Sequence, residues 1–184
     1  MKKLNLLLLS LALVTLVLSG CKKGDDKKNY LQVGGETYDL VLGDLEYYGT
    51  ATGGYDIGMN LLTTGITLDN NGYWGGTGSG IWFEFTSDIN SGLSTGTYEY
   101  SATEGAFTIY DVGYCLEWTE NYETNVWVYF NSAKGGYVKV KKDDNKYEVT
   151  FKGTDEDGNT VKGNFSGTFA LYDFSSTKSR GSHK

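Results

Sequence analysis

Hydrophobic and polar positions along most of this chain alternate with a period of two, the signature of a strand with one buried face. The clearest case is residues 137–142, where Val138 and Val140 share one face and Lys139 and Lys141 the other. After the polar turn Asp143-Asp144-Asn145, Tyr147, Val149 and Phe151 continue the apolar face opposite Glu148, Thr150 and Lys152. This pattern predicts an antiparallel hairpin with one solvated side. Beyond Asp157-Gly158-Asn159, Val161, Phe165, Phe169 and Leu171 predict one longer last strand, with Gly163 and Gly167 leaving room for aromatic neighbours.

Upstream, residues 30–33 and 36–42 flank Gly34-Gly35 and read as a hairpin. Residues 55–62 form the next run, followed by a long polar loop over 69–80 and a strand over 81–86. There Ile81, Phe83 and Phe85 face the core, with Trp82, Glu84 and Thr86 opposite. Further runs cover 96–101, 106–110, 114–119 and 125–131; in the last, Val126, Val128 and Phe130 point inward and leave Trp127 and Tyr129 on the other face. About nine or ten short strands predict an all-β fold, either an antiparallel β-sandwich or a flattened, lipocalin-like barrel.

Composition agrees: Pro is absent, while Gly reaches 26 and Tyr 15 of the 184 residues. The N-terminus breaks the strand pattern. Lys2 and Lys3 lead into an apolar run over 4–18, ending Leu18-Ser19-Gly20-Cys21. That run is short of the ~20 residues of a membrane span, and small residues before a cysteine fit cleavage ahead of a lipid-modified thiol. Residues 1–20 therefore read as a lipoprotein signal peptide, and 21–29 as lipidated Cys21 with a solvated tether. Residues 30–174 read as one β domain and 175–184 as a tail. Lys22 after the cysteine resembles the pattern of lipid-anchored proteins sorted to the outer membrane of a Gram-negative bacterium, and Asp25-Asp26 loosely resembles a surface-export signal, with the periplasmic and the surface leaflet both left open.

Without residues 1–20 the chain keeps 14 Lys and Arg against 23 Asp and Glu, a net charge of −9. A surface of that net charge repels phosphate backbones and anionic lipids alike, and Lys and Arg form no long stripe, which argues against a nucleic-acid partner. Cys115 is then the one thiol left without an internal partner; a buried, inert thiol is the reading, with an intermolecular disulfide as the alternative. The sole histidine, His183, lies in the tail, so a Cys-His or Ser-His catalytic pair is not expected.

The lipobox, the opening Tyr30-Leu31-Gln32-Val33-Gly34-Gly35-Glu36-Thr37-Tyr38-Asp39-Leu40, and the closing 147–151 and 161–167 segments resemble small, uncharacterised bacterial surface lipoproteins. The resemblance implies an outer-membrane location and a compact lipocalin-like or sandwich-like body. It carries no catalytic residue.

Candidate chemistry is sparse. The turn Asp155-Glu156-Asp157-Gly158-Asn159 spaces oxygens as calcium loops do, but lacks the rest of an EF-hand, so a hairpin turn is the reading and no metal or other cofactor is expected. A glycosidase would need two carboxylates ~5 to 9 Å apart, for which Glu84 with Glu117 or Glu120 is the one pairing considered. Aromatics outside the core are more informative. Tyr73, Trp74, Trp82, Trp127 and Tyr129, with Glu84, are the candidate ligand-binding residues, because flat rings beside polar groups suit a pyranose face and its hydroxyls. The expected function is a non-enzymatic binding module for a glycan or peptide. The alternatives are a lipocalin-like carrier of an apolar molecule and a structural component packing against another protein.

Overall fold

The computed structural model describes residues 29–101 and 103–176, and Cys21 and His183 lie outside them. Twelve strands form one sheet. They are β1 (Tyr30–Val33), β2 (Glu36–Ala51), β3 (Gly54–Thr63), β4 (Ile66–Leu68), β5 (Trp74–Ser87), β6 (Gly96–Tyr100), β7 (Thr108–Thr119), β8 (Val128–Tyr129), β9 (Gly136–Asp143), β10 (Lys146–Thr154), β11 (Thr160–Thr168) and β12 (Ala170–Asp173). Because β5 pairs with both β3 and β7, the sheet closes on itself. The ring runs β5-β3-β2-β1-β11-β10-β9-β6-β7, a nine-stranded barrel with β4, β8 and β12 added outside it. Of the two expected architectures the chain adopts the barrel, and closure removes the open edges that a sandwich would leave. It is not antiparallel throughout, since β6 runs parallel to β7 and β12 parallel to β2.

Alternation fills the interior as the pattern predicts. Ile57, Met59 and Leu61 from β3, Ile81, Phe83 and Phe85 from β5, and Val138, Val149, Phe151 and Val161 from the closing strands meet in one buried cluster. Phe83 and Phe151 meet edge-on across it with ring centroids 5.2 Å apart. Each such side chain contributes ~1.5 to 3 kcal/mol by leaving water. Gly163 is opposite Phe151, and an added Cβ there would strike the Phe151 ring.

Four sequence expectations are corrected. Only residues 69–73 form the polar loop; β5 already begins at Trp74 because β4 pairs with residues 74–76. The runs at 106–110 and 114–119 join in the single strand β7, bent by a register shift against β5. The run at 125–131 shrinks to β8 and an isolated Phe130–Asp155 bridge. There Asn125 donates to the Thr119 carbonyl at 2.9 Å and accepts from the Thr119 amide at 2.8 Å, so the chain loops out and Val126 is 73% exposed rather than in the core. The long last strand breaks at Phe169. Beyond the start of β1 the flank of β2 is vacant, and the chain leaving β11 steps across to pair with it as β12, leaving Leu171 46% exposed.

Among the described residues no helix is long and apolar enough to cross a membrane.

Candidate functional site

On the barrel's outer surface, β3, β5, β7 and β8 carry two parallel rows of side chains. Pairing aligns Asn60, Trp82, Gly113 and Tyr129 in one row. The next row aligns Gly58, Glu84 and Asp111. Strand alternation turns these residues away from Ile81, Phe83 and Phe85, as the sequence pattern requires.

The four tryptophans of the chain converge here. Trp82 meets Trp127 edge-on at 4.7 Å between ring centroids and Tyr129 at 5.6 Å. Trp74 meets Trp118 at 5.6 Å and Trp127 at 6.3 Å. Trp118, fully buried, anchors a second apolar cluster with Leu62, Ile66 and Cys115, against which Trp74 and Trp127 pack. Edge-to-face contacts of this kind add ~0.5 to 1.5 kcal/mol each and fix ring orientation. Gly113 makes the closest approach available: an added Cβ would collide with the Trp82 ring.

Of the candidate residues, Trp74, Trp82, Trp127 and Tyr129 are therefore brought together, with Glu84 in the adjoining row. Trp82 itself is only 4% exposed, while Trp74, Trp127 and Tyr129 are half-buried and present the outer surface of the cluster. Tyr73 does not join them. It is 58% exposed and meets Phe174 edge-on at 5.9 Å. Asp69 sets its position by accepting from the Tyr73 and Asn71 amides at 2.9 and 2.8 Å, and the Tyr73 amide above all holds the Asp69 carboxyl below its usual range. Burial, then the negative charges of Asp111, Glu156 and Glu84, push the Tyr129 phenol up.

Sequence reasoning missed Trp118, Asn60 and Asp111. Trp118 was visible as an aromatic near the end of a strand, but nothing along the chain tells that it sits under Trp74. The carboxylate pair considered for glycosidase chemistry is not formed. Glu84 pairs in register with Asp111, six residues before Glu117 on β7, whereas Glu120 accepts from the Gly76 amide at 2.8 Å, eight residues earlier on β5. At ~3.3 Å per residue that separates them by more than ~20 Å, beyond the reach of a shared sugar.

Next to this strip, β2 and β3 hold a buried polar group. Asp44 and Asn60 are fully or nearly fully buried, and Asn60 donates to Asp44 at 2.9 Å. The Tyr48 hydroxyl donates to Glu46. Desolvation pushes the Asp44 carboxyl well above its ordinary value, the Glu46 charge adds to this, and the Asn60 bond opposes it. Glu46 is raised as well, again chiefly by burial.

The Asp155 segment forms the turn between β10 and β11. Its carboxylate accepts from the Tyr114 hydroxyl at 2.7 Å and from Asn159 at 2.7 and 3.1 Å. Among the described residues no cluster of His, Cys, Asp and Glu is placed to hold a metal ion. Cys115 is a buried free thiol whose burial pushes its pKa up. A cavity of about 370 Å³ beside the end of β7 is lined by Tyr38, Leu116, Glu117, Val126 and Val128.

No protein-family model matches the chain, and no curated protein or solved structure matches it either, so nothing in these comparisons points to an enzymatic activity.

Proposed function

We propose that this chain is a lipid-anchored outer-membrane surface protein whose barrel binds a glycan, without catalysing a reaction on it. The observation that carries the reading is the convergence of Trp74, Trp82, Trp127 and Tyr129 on one outer face, beside the Glu84 and Asp111 row. The half-buried rings of Trp74 and Trp127 supply apolar platforms held in place by Trp82 and Trp118, so little side-chain entropy is lost when a sugar stacks on them. The carboxylates of the adjoining Glu84 and Asp111 row are the acceptors for sugar hydroxyls. The carrier alternative is less well supported, because Phe83, Phe85, Tyr98 and Phe151 fill the barrel interior.

A glycan array probed with the protein, followed by tryptophan fluorescence titration of any hit, tests this. The expected result is a hit whose binding shifts the emission and weakens at least ~10-fold in Trp127→Ala, the loss of one stacked ring. A hit unaffected by Trp127→Ala and Trp74→Ala, or silence across the array, overturns the glycan reading and turns attention to a protein partner.

A further inference from the structure

Basic charge in the described part of the barrel is confined to residues 134–162, where seven lysines stand beside six acids, with Glu156 and Asp157 exposed in the turn next to Lys152 and Lys162. Residues 29–133 contain fourteen Asp and Glu and no Lys or Arg. The seven lysines of the described residues all fall between Lys134 and Lys162. Folding gathers them on one wall, since β9, β10 and β11 are consecutive neighbours in the barrel. With Val138, Val140, Val149, Phe151 and Val161 turned into the core, the intervening residues face out, and Lys139, Lys141, Lys152 and Lys162 are all exposed.

Their register is the informative part. Lys152 is paired directly with Lys162, and their other lateral partners are Tyr137 and Gln32, not acids. Like charges directly opposite across a ladder are destabilising. Lys139 is on the same face one pair further along, opposite Thr150, with its ammonium 5.0 Å from the Tyr137 ring centroid. Thr150 and Asn164, paired with each other, add hydroxyl and amide groups to the same patch. Lys141 differs, having Glu148 at 3.8 Å.

The N-terminal segment enters on this wall. Asn29 donates to the Ser166 carbonyl of β11 at 3.1 Å and accepts from the Ser166 amide at 2.8 Å. Seven residues separate Asn29 from Cys21, and the stretch spans at most ~28 Å. Four of them are lysines, Lys22, Lys23, Lys27 and Lys28.

We propose that Lys139, Lys152 and Lys162 form a docking face for the phosphate-bearing headgroups of an anionic membrane, laying the barrel against the bilayer on its β9-β10-β11 wall. The inference uses the anchor of the proposed function only for proximity. It departs from the expectation, drawn from net charge, that the chain repels anionic lipid. It also turns the tryptophan strip, on β5, β7 and β8 beyond β6, away from the membrane. Each lysine brought to an anionic surface strengthens association about fivefold.

The full chain is mixed with vesicles of phosphatidylcholine alone or with phosphatidylglycerol, floated, acetylated with a membrane-impermeant reagent, and mapped by mass spectrometry. Expected is at least ~3-fold lower acetylation of Lys139, Lys152 and Lys162 on anionic than on neutral vesicles, reversed by high salt, with Lys134 unchanged. Lys152→Gln with Lys162→Gln should abolish the protection of Lys139. Equal labelling on both vesicles, or flotation with neither, overturns the proposal. So does protection by inorganic phosphate on neutral vesicles, which would mark a site for free anions. Flotation with anionic vesicles only, with the lysines protected, supports the docking face while refuting the lipid anchor.

Discussion

The Asn60 side-chain amide donates to Asp44 Oδ2 at 2.9 Å, while Asp44 Oδ1, equally buried, has no hydrogen-bond partner. The carboxyl is therefore half satisfied although fully buried, next to the charge of Glu46. Because its folded pKa lies above the unfolded one, the native state holds the extra proton between the two values. Stability is full below the ordinary carboxylate range and falls as pH rises through the folded value. Asp44→Asn keeps an acceptor for Asn60 and removes the charge. It should stabilise the barrel by about 1 to 2 kcal/mol near neutral pH and have little effect in acid. Urea midpoints across pH measure this, and an unchanged or lowered midpoint at neutral pH would sink the argument.

Asp155 has the opposite sign. Burial raises its pKa, but the bonds from the Tyr114 hydroxyl and from Asn159 outweigh it and leave the carboxyl below its ordinary value. Its contribution is present above the unfolded pKa and is lost as pH falls through the folded one. Asp155→Ala should cost about 1 to 3 kcal/mol at neutral pH, with the difference from the parent narrowing in acid. Tyr114→Phe should reproduce part of the loss; a variant with no pH-dependent difference would remove Asp155 from this role.

Gly113→Ala tests the geometry of the aromatic strip. A methyl group there must push the Trp82 ring off its contacts with Trp127 and Tyr129, at a cost of about 1 to 3 kcal/mol and a change in near-ultraviolet circular dichroism. An unaltered spectrum would mean that Trp82 does not lie over Gly113.

Trp118 and Trp127 separate anchoring from binding. Trp118→Ala empties a fully buried site and should lose about 3 to 5 kcal/mol. Trp127→Ala removes a half-buried ring and should lose no more than about 2 kcal/mol, leaving a folded barrel whose glycan binding is impaired. Equal, severe losses in both would make the strip an outer core alone.

Much of the barrel wall is legible in the alternation of single runs. The Gly34-Gly35 hairpin, the inward Ile81, Phe83 and Phe85, and the 137–151 hairpin fold as their sequence reads. Failures occur where a tertiary bond outbids the local period. Asn125 ties its segment to Thr119 and exposes Val126, and a vacant flank of β2 captures the chain after Phe169. At the candidate site, the outward faces of Trp82, Trp127 and Tyr129 follow from position parity. Their meeting with Trp74 over Trp118, and the exclusion of Tyr73, do not.

By itself the sequence determined the all-β class, the inward set of most strands and, within residues 29–176, the confinement of lysines to 134–162, because these depend on neighbours a few residues apart. Tertiary structure alone decided closure of β5 on β7, the gathering of four tryptophans, the pairing of Lys152 with Lys162 and the burial of Asp44 beside Asn60. Those relationships join residues distant along the chain, and strand register, which no local pattern encodes, sets which side chains share a row.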